Sequence, residues 1–347
     1  METVKQNIRQ LTREELAEYF RKLGEKPFRA GQVWDWLWVH HVGGFDQMTN
    51  LSGALRQKLA GDFLFPVIRI DHMQTSTDGT IKSRFVLHDG HQVEGVLIPT
   101  EKRQTACVSS QAGCSLSCRF CATGFLERKR NLDFEEIYDE VSLINKQSLE
   151  STGKRLTNIV YMGMGEPLLN YAHVLKSIER ITAPDGMAMS PRRITVSTAG
   201  ISKMIKKLGD DKVRFNLALS LHAPNDKKRS EVMPINEKND LKSLSEALNY
   251  FYLATKNDIT FEYILFKDFN DSLKDADELI RLYRQMPVKV INLIEYNPIE
   301  QARFSKPAPE KVEAFMNYLS RHRVNARLRR SRGKDIDAAC GQLANKG

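Results

Sequence analysis

Long apolar runs are missing from this chain. No stretch of its 347 residues approaches bilayer-spanning length, which excludes a helical membrane protein. The opening Met1-Glu2-Thr3-Val4-Lys5-Gln6 lacks the apolar core of a secretion signal, so a cytoplasmic location is expected. Cysteine is scarce, at five residues. In a reducing compartment so few argue against a disulfide framework and for metal or catalytic roles. Acids are outnumbered: 43 Asp and Glu against 52 Lys and Arg leave a formal net charge of +9. That sign suits an anionic partner, most simply nucleic acid. Apolar content of 41% and charged content of 27% are ordinary for a globular protein. The length allows one large core, or a core with a small appended domain.

Three of the few cysteines stand together, in Gly113-Cys114-Ser115-Leu116-Ser117-Cys118-Arg119-Phe120-Cys121-Ala122-Thr123-Gly124. A loop this short can bend three thiolates toward one soft metal centre. Three ligands are one short of the usual four for a cubane cluster or a closed zinc site, so one iron of a cluster would stay open for a substrate. The spacing resembles that of radical S-adenosylmethionine (SAM) enzymes, whose open iron chelates SAM. The rival is a zinc knuckle completed by a distant Cys or His, in an RNA-binding protein without activity. Two cysteines remain, Cys107 and Cys340, as a candidate working pair.

Residues 1–65 read as short helices. Thr12-Arg13-Glu14-Glu15 has the form of a capping box, and Leu16, Tyr19, Phe20 and Leu23 come after it on one face. A second helix is expected over about 30–40 and a third near 52–60. Lys26, Arg29, His40, His41 and Arg56 offer phosphate contacts, while Trp34, Trp36 and Trp38 read equally well as core. Over 66–104 the period switches to two, with Asp78-Gly79 and Asp89-Gly90 as hairpin turns. The strand after the second turn carries one acid, Glu94, a candidate proton acceptor if the strand end lies beside a pocket.

From about 105 strands and helices alternate. Strands are expected at about 105–110, 157–163, 192–198, 214–221, 259–266 and 288–295, with helices between them. Six βα repeats mean a parallel sheet covered by helices, short of the eight that close a full barrel. The expected fold is therefore α/β: a partial (β/α)6 TIM-like barrel over 105–347, a β-hairpin extension over 66–104 and a small helical N-terminal domain. The cysteine triplet falls after the first strand, where α/β proteins place their chemistry. Other strand ends carry polar groups: Gly163-Met164-Gly165-Glu166, Ser197-Thr198, Ser220-Leu221-His222 and Tyr296-Asn297. Glycines let a backbone approach a ligand, Glu166 suits a cationic amino group, and Asn297 can pair with an adenine edge. Near the C-terminus seven cations lie between Arg321 and Lys334, a density that suits a phosphate track.

GCSLSCRFCATG, YMGMGEPLLN, PRRITVSTAG, LSLHAPND, MPIN and DIDAACGQL, taken with GEKPFRAGQVW and MTNLS, resemble the radical SAM adenosine C2-methyltransferases of 23S rRNA and tRNA. The resemblance covers nearly the whole chain. It implies methylation of C2 of an adenosine in the peptidyl-transferase region and of the adenosine 3′ to the anticodon in some tRNAs. Related enzymes act instead on C8 of the same rRNA adenosine; Gly165-Glu166-Pro167-Leu168-Leu169-Asn170 is more similar to the C2 group. The resemblance implies a [4Fe-4S] cluster on Cys114, Cys118 and Cys121. It puts SAM contacts at Gly165, Glu166, Ser197, Ser220, Leu221, His222 and Asn297. It makes Cys340 the methyl carrier, Cys107 its resolving partner and Glu94 the proton acceptor. An external electron donor such as flavodoxin and a monomeric state are also implied.

The same resemblance implies two SAM molecules per product. The electron-poor C2 cannot attack a sulfonium methyl, so radical addition is needed. The Cys340 thiolate first takes a methyl group by displacement. A 5′-deoxyadenosyl radical from a second SAM removes hydrogen from that methyl, and the carbon radical adds to C2. Cys107 or Glu94 removes the C2 proton, and Cys107 attacks the Cys340 sulfur to release RNA with a disulfide.

Overall fold

The computed structural model describes residues 5–345; the first four residues of the opening segment lie outside that range. Strand β1 (Gln6–Asn7) leads into helices α1 (Arg13–Lys22), α2 (Phe28–Trp38) and α3 (Gly53–Asp62), and β2 (Phe63–Leu64) pairs with β1. The expected capping box is present: Glu15 N donates to Thr12 Oγ1 at 3.1 Å and Thr12 N to a Glu15 carboxylate oxygen at 2.7 Å. Ser52 caps α3 through Leu55 N at 3.2 Å.

The three tryptophans divide by helix face. Trp34 and Trp38 are buried and Trp36 is half-buried. Trp38 stacks on Phe134 at 5.8 Å and meets Tyr138 edge-on at 5.2 Å. Tyr138 Oη donates to Trp38 O at 2.6 Å, and Trp34 Nε1 to Asp185 Oδ2 at 2.8 Å. The small helical region therefore shares one apolar core with the larger α/β region. Its strongest polar tie is Arg9, 3% exposed, which donates to both Asp139 oxygens at 2.7 and 2.6 Å and lies over Trp38 at 5.0 Å.

Next come β3 (Arg69–Thr75), β4 (Ile81–Val86) and β5 (Gln92–Pro99), joined by the two expected Asp-Gly turns. They run antiparallel and continue through β6 (Gln104–Cys107) into the main sheet. The short β7 (Gln111–Ala112) and β8 (Arg130–Asn131) flank the cysteine loop and pair with each other. Alternation then sets in: α4 (Phe134–Thr152), β9 (Asn158–Tyr161), α5 (Tyr171–Thr182), β10 (Ile194–Thr198), α6 (Ser202–Asp210), β11 (Asn216–Ser220), α7 (Asp226–Val232), α8 (Leu241–Thr255), β12 (Ile259–Leu265), α9 (Leu273–Gln285), β13 (Val290–Glu295), α10 (Pro309–Arg321) and β14 (Ala326–Arg329).

The ten-stranded sheet has the order β14-β13-β12-β11-β10-β9-β6-β5-β4-β3. From β6 to β14 every pairing is parallel. The six expected barrel strands are all present. A seventh, β14, falls inside the cation run whose density suits a phosphate track. Its alternation Ala326-Arg327-Leu328-Arg329 is period two, but charge on one face masks the apolar signal of a strand. The sheet does not close, since β14 and β6 are not paired.

Outward residues such as Ile194, Val196, Leu217, Leu219, Ile291 and Leu293 are almost wholly buried under helix residues including Ile137, Ile205, Leu244 and Leu279. Inward positions differ. Asn158, Thr195, Ser197, Asn216, Thr260 and Asn292 are polar and half-buried, so the barrel lumen is not a packed core.

Arg9→Ala should destabilise the protein by about 3–5 kcal/mol, since it strands Asp139 beside the seam between the helical region and α4. Urea unfolding reads this. A midpoint within experimental error of the parent would show that the seam does not depend on the ion pair.

Candidate active site

The cysteine loop is held at its base by the turn after β9. Gly165 has φ +92°, and a Cβ there would come within 2.5 Å of Gln111 Cβ. Ser110 N and Gln111 N donate to Met164 O at 2.9 and 3.2 Å, and Glu166 N to Gln111 Oε1 at 2.9 Å. The glycines expected to admit a ligand thus first press one βα turn against the start of the cysteine loop.

Beyond that base the triplet turns over the C-terminal mouth of the barrel. Cys114, Cys118 and Cys121 are partly buried, line one cavity and pack on an apolar cluster with Leu116, Phe120, Met233 and Tyr296. Burial pushes the Cys114 thiol up to about 11; burial, then the Cys121 and Cys114 sulfurs, raise Cys118. Thiols so placed ionise when a metal supplies the compensating charge. Among the described residues no three Cys, His, Asp or Glu side chains close on one ion-sized point. Three thiols lining one cavity are a donor set of the kind an iron–sulfur cluster takes.

Gly165, Glu166, Ser197, Ser220 and His222 line the same cavity. Glu166 is 3% exposed, and its carboxylate accepts from Ala199 N at 2.7 Å and Leu168 N at 3.0 Å. Burial raises its pKa, against those bonds. Ser197 Oγ and Ser220 Oγ stand 3.4 Å apart. His222 Nδ1 accepts from Ile264 N at 3.1 Å, which leaves the proton on Nε2. Its ring meets Phe120 edge-on at 4.7 Å. Leu221 is fully buried behind this wall, where its carbonyl accepts from Arg229 Nε at 3.2 Å. Asn297 is buried, donates to Cys340 O at 3.2 Å, and keeps a buried Oδ1 without a partner, an acceptor suited to an adenine amino group.

A second cavity, ≈ 570 Å³, occupies the lumen below and opens at the N-terminal end of the strands. Cys340 lines both cavities and Cys107 the lower one alone. Both are free thiols. Burial, then the neighbouring Cys340, raises the Cys107 pKa. Glu262, not singled out in the sequence, and Arg329 of the cation run join them. Glu262, 4% exposed, accepts from Asn292 Nδ2 at 2.7 Å, Thr260 Oγ1 at 3.1 Å and Arg329 Nη1 at 3.2 Å. Arg329 is raised in pKa chiefly by the Cys340 sulfur. The lone acid in Ile259-Thr260-Phe261-Glu262 gives the same signal as Glu94 and could have been found by it.

The segment carrying Cys340 is stitched across the mouth. Ala122 N donates to Gly341 O at 2.7 Å and Thr123 Oγ1 to Leu343 O at 2.6 Å, tying it to the residues just after Cys121. Glu94 secures the far end: its Oε2 accepts from Ala344 N at 2.8 Å and Asn345 N at 3.1 Å, with Lys82 Nζ 3.6 Å from Oε1. Glu94 is 1% exposed and lines neither cavity. The structure thus brings together the cysteine triplet, five of the seven expected SAM contacts, and Cys107 with Cys340. Leu221, Asn297 and Glu94 stand behind the walls.

Residues 6–64 match the ribosomal RNA large subunit methyltransferase N-terminal domain, and residues 108–282 the radical SAM superfamily. The chain is 54% identical over 345 residues to a probable dual-specificity RNA methyltransferase RlmN of Cytophaga hutchinsonii, covering 99% of this chain and 94% of that one. It is 52% identical over 342 residues to the protein of that description from Christiangramia forsetii, covering 99% and 97%. A crystal structure of a radical SAM methyltransferase from Sphaerobacter thermophilus superposes with a TM-score of 0.92 at 38% identity, covering 98% of this chain and all of that one. No helix among the described residues is long and apolar enough to cross a membrane.

Burial, then the Arg229 charge, pushes His222 down to about 3. The unfolded chain therefore takes up this proton first as pH falls below about 6.5. The stability His222 contributes is complete above that value and is lost as the pH drops toward 3, by up to about 1.4 kcal/mol per pH unit. His222→Asn should flatten stability against pH between 6.5 and 4 in chemical denaturation. An unchanged slope would mean that the imidazole is solvated in the folded state.

Proposed function

The chain belongs to the RlmN family of radical SAM RNA methyltransferases, and from this premise we propose that it methylates C2 of an adenosine in 23S rRNA and in tRNAs. The observation that carries the reading is the position of Cys340 in the wall shared by two cavities. A methyl carrier needs access to a donor on one side and to a substrate on the other.

Cys114, Cys118 and Cys121 would hold a [4Fe-4S] cluster with one open iron. Gly165, Glu166, Ser197, Ser220 and His222 would hold SAM beside it, with the backbone of Leu221 and the unpaired Oδ1 of Asn297 as further contacts. When bound, cluster and SAM would supply the radical chemistry that activates a methyl group carried on Cys340. The protein's own part is nucleophilic and positional. Cys340 as thiolate displaces the sulfonium methyl. Met233, Phe120 and Leu116 keep the upper cavity apolar on one side. Cys107, lining the lower cavity with Cys340, attacks the Cys340 sulfur as thiolate; the S–C bond breaks with its electron pair going to the methylene carbon, which takes up a proton to complete the methyl group, the disulfide forms and the RNA leaves. A dithiol reductant then restores both thiols.

Two groups are candidates to take the C2 proton. Cys107 must first lose its own proton, which burial opposes. Glu94 must first release the amides of Ala344 and Asn345. Electrons enter from an external donor such as flavodoxin, and the enzyme works as a monomer in the cytoplasm.

Anaerobically purified protein should be brown with about four irons per chain, and Cys→Ala at 114, 118 or 121 should remove iron and activity together. Stoichiometric zinc, or a triple variant that kept its iron, would overturn the cluster assignment. Digested RNA product should contain 2-methyladenosine; 8-methyladenosine would assign the other carbon.

Cys340→Ala should take no label from methyl-labelled SAM onto protein or RNA. Cys107→Ala should accumulate a denaturant-stable protein–RNA adduct at Cys340, and turnover like the parent with no adduct would leave Cys107 a core residue. Glu94→Gln should keep Cys340 labelling and lose RNA product if Glu94 is the base. Loss of both would assign it to holding the tail.

A further inference from the structure

Two-sided access to Cys340 leaves open which face of the barrel the RNA meets. We infer that RNA docks at the N-terminal mouth, opposite the cysteine triplet, with phosphates on Arg103, Arg327, Arg330 and Arg332 and the target base in the polar lumen. The inference rests on the proposed RNA methylation and adds a surface and a route to it.

The lumen is built as a ligand chamber. A packed (β/α) barrel fills its interior with layers of branched apolar side chains. Here the inward positions are Thr105, Asn158, Thr195, Asn216, Thr260 and Asn292, one from each of six strands, and all border the lower cavity. At ≈ 570 Å³ that cavity is of small-ligand size, for which roughly 300–1,000 Å³ is usual. Amide and hydroxyl groups around it can meet the hydrogen-bonding edge of a base. Its inner end is formed by Cys107 and Cys340, so a base inserted from below arrives at the sulfurs without crossing the upper cavity.

The rim carries the matching charge. Arg103, Arg327, Arg330 and Arg332 are exposed and border the same cavity. Among the described residues no acid pairs with Arg103, Arg327 or Arg330, while Arg332 Nη1 donates to Asp78 O at 3.3 Å and lies 3.9 Å from its carboxylate. The acids on this cavity are already engaged, Asp258 by Lys289 at 2.6 Å and Glu262 by Arg329 at 3.2 Å. Three unpaired arginines around a polar chamber whose acids are already engaged suit a backbone of phosphates with one base turned inward. β14 ends the sheet and does not pair back onto β6, which is held between β5 and β9, so the barrel wall is open along β14 beside Arg327, which accommodates a single-stranded loop better than a duplex.

The test combines three alanines, Arg103→Ala, Arg327→Ala and Arg330→Ala, with binding of a stem-loop RNA bearing an unpaired adenosine across a salt series. The variant should bind about tenfold or more weakly at 0.1 M salt, and log K against log salt should be shallower by about two, roughly 0.7 for each of the three lost phosphate contacts on a single strand. Its KM for RNA should rise while kcat holds, and Cys340 labelling from methyl-labelled SAM without RNA serves as the check of fold. Asn158→Trp, which fills the chamber, should abolish RNA methylation at saturating RNA while Cys340 is still labelled. Parent-like affinity and salt slope in the triple variant, or full RNA turnover in Asn158→Trp, overturns the docking site. A parent protein that places no methyl on Cys340 overturns the methyl-transfer reading instead, and the docking site is then judged on the binding slope alone.

Discussion

Seven neighbouring parallel strands must each hide one face under a helix, and that demand divides every barrel strand into two kinds of position. Ile194, Val196, Leu217 and Leu219 answer it from the outside, where helices α5, α6 and α8 remove them from water. At about 25 cal/mol per Å² of apolar area this burial dominates the stability of the fold. The inward positions are then released from packing duty. They can be Asn, Thr, Ser, Glu and Arg because the outer layer already holds the sheet together. A hollow, polar lumen is a consequence of that division, and both the proposed cysteine chemistry and the proposed route for the RNA depend on it.

Upon this frame the C-terminal segment behaves as a strap. It is fastened to the cysteine loop through Ala122 and Thr123, to β5 through Glu94, and to the end of β13 through Asn297. Each neutral bond is worth about 1 kcal/mol and those to a carboxylate somewhat more. A strap of that strength stays closed on average yet opens without unfolding the barrel. Such a compromise suits the role proposed for Cys340, which would serve a donor, an RNA base and a second cysteine in turn. The Glu94–Lys82 pair is buried, so its cost is recovered only while both partners and the tail amides remain in place.

The N-terminal helices are not a detachable module. Trp38 stacked on Phe134, Trp34 bonded to Asp185 and Arg9 paired with Asp139 make them part of the outer layer on α4 and α5. Removing them would uncover that layer, so point substitutions separate recognition from folding better than truncation does.

Much of this architecture is set by the sequence alone. Period-two and period-3.6 patterns place six barrel strands, the hairpins and the capping box of α1, because those signals are local. The cysteine spacing and the polar strand ends mark one mouth of the barrel, since residues at the ends of parallel strands converge whatever lies between them. Direction and occupancy are decided only by the tertiary structure. Glu94 reads as a base in the sequence, but tertiary contact turns its carboxylate onto the amides of Ala344 and Asn345, 250 and 251 residues away. The cation run reads as one phosphate track. Pairing with β13 divides it, turning Arg329 inward to Glu262 and leaving Arg327, Arg330 and Arg332 at the rim. A charge in a sequence has no facing until a neighbouring strand gives it one. Chemistry at a single residue is local, whereas the side from which a substrate reaches it belongs to the sheet as a whole.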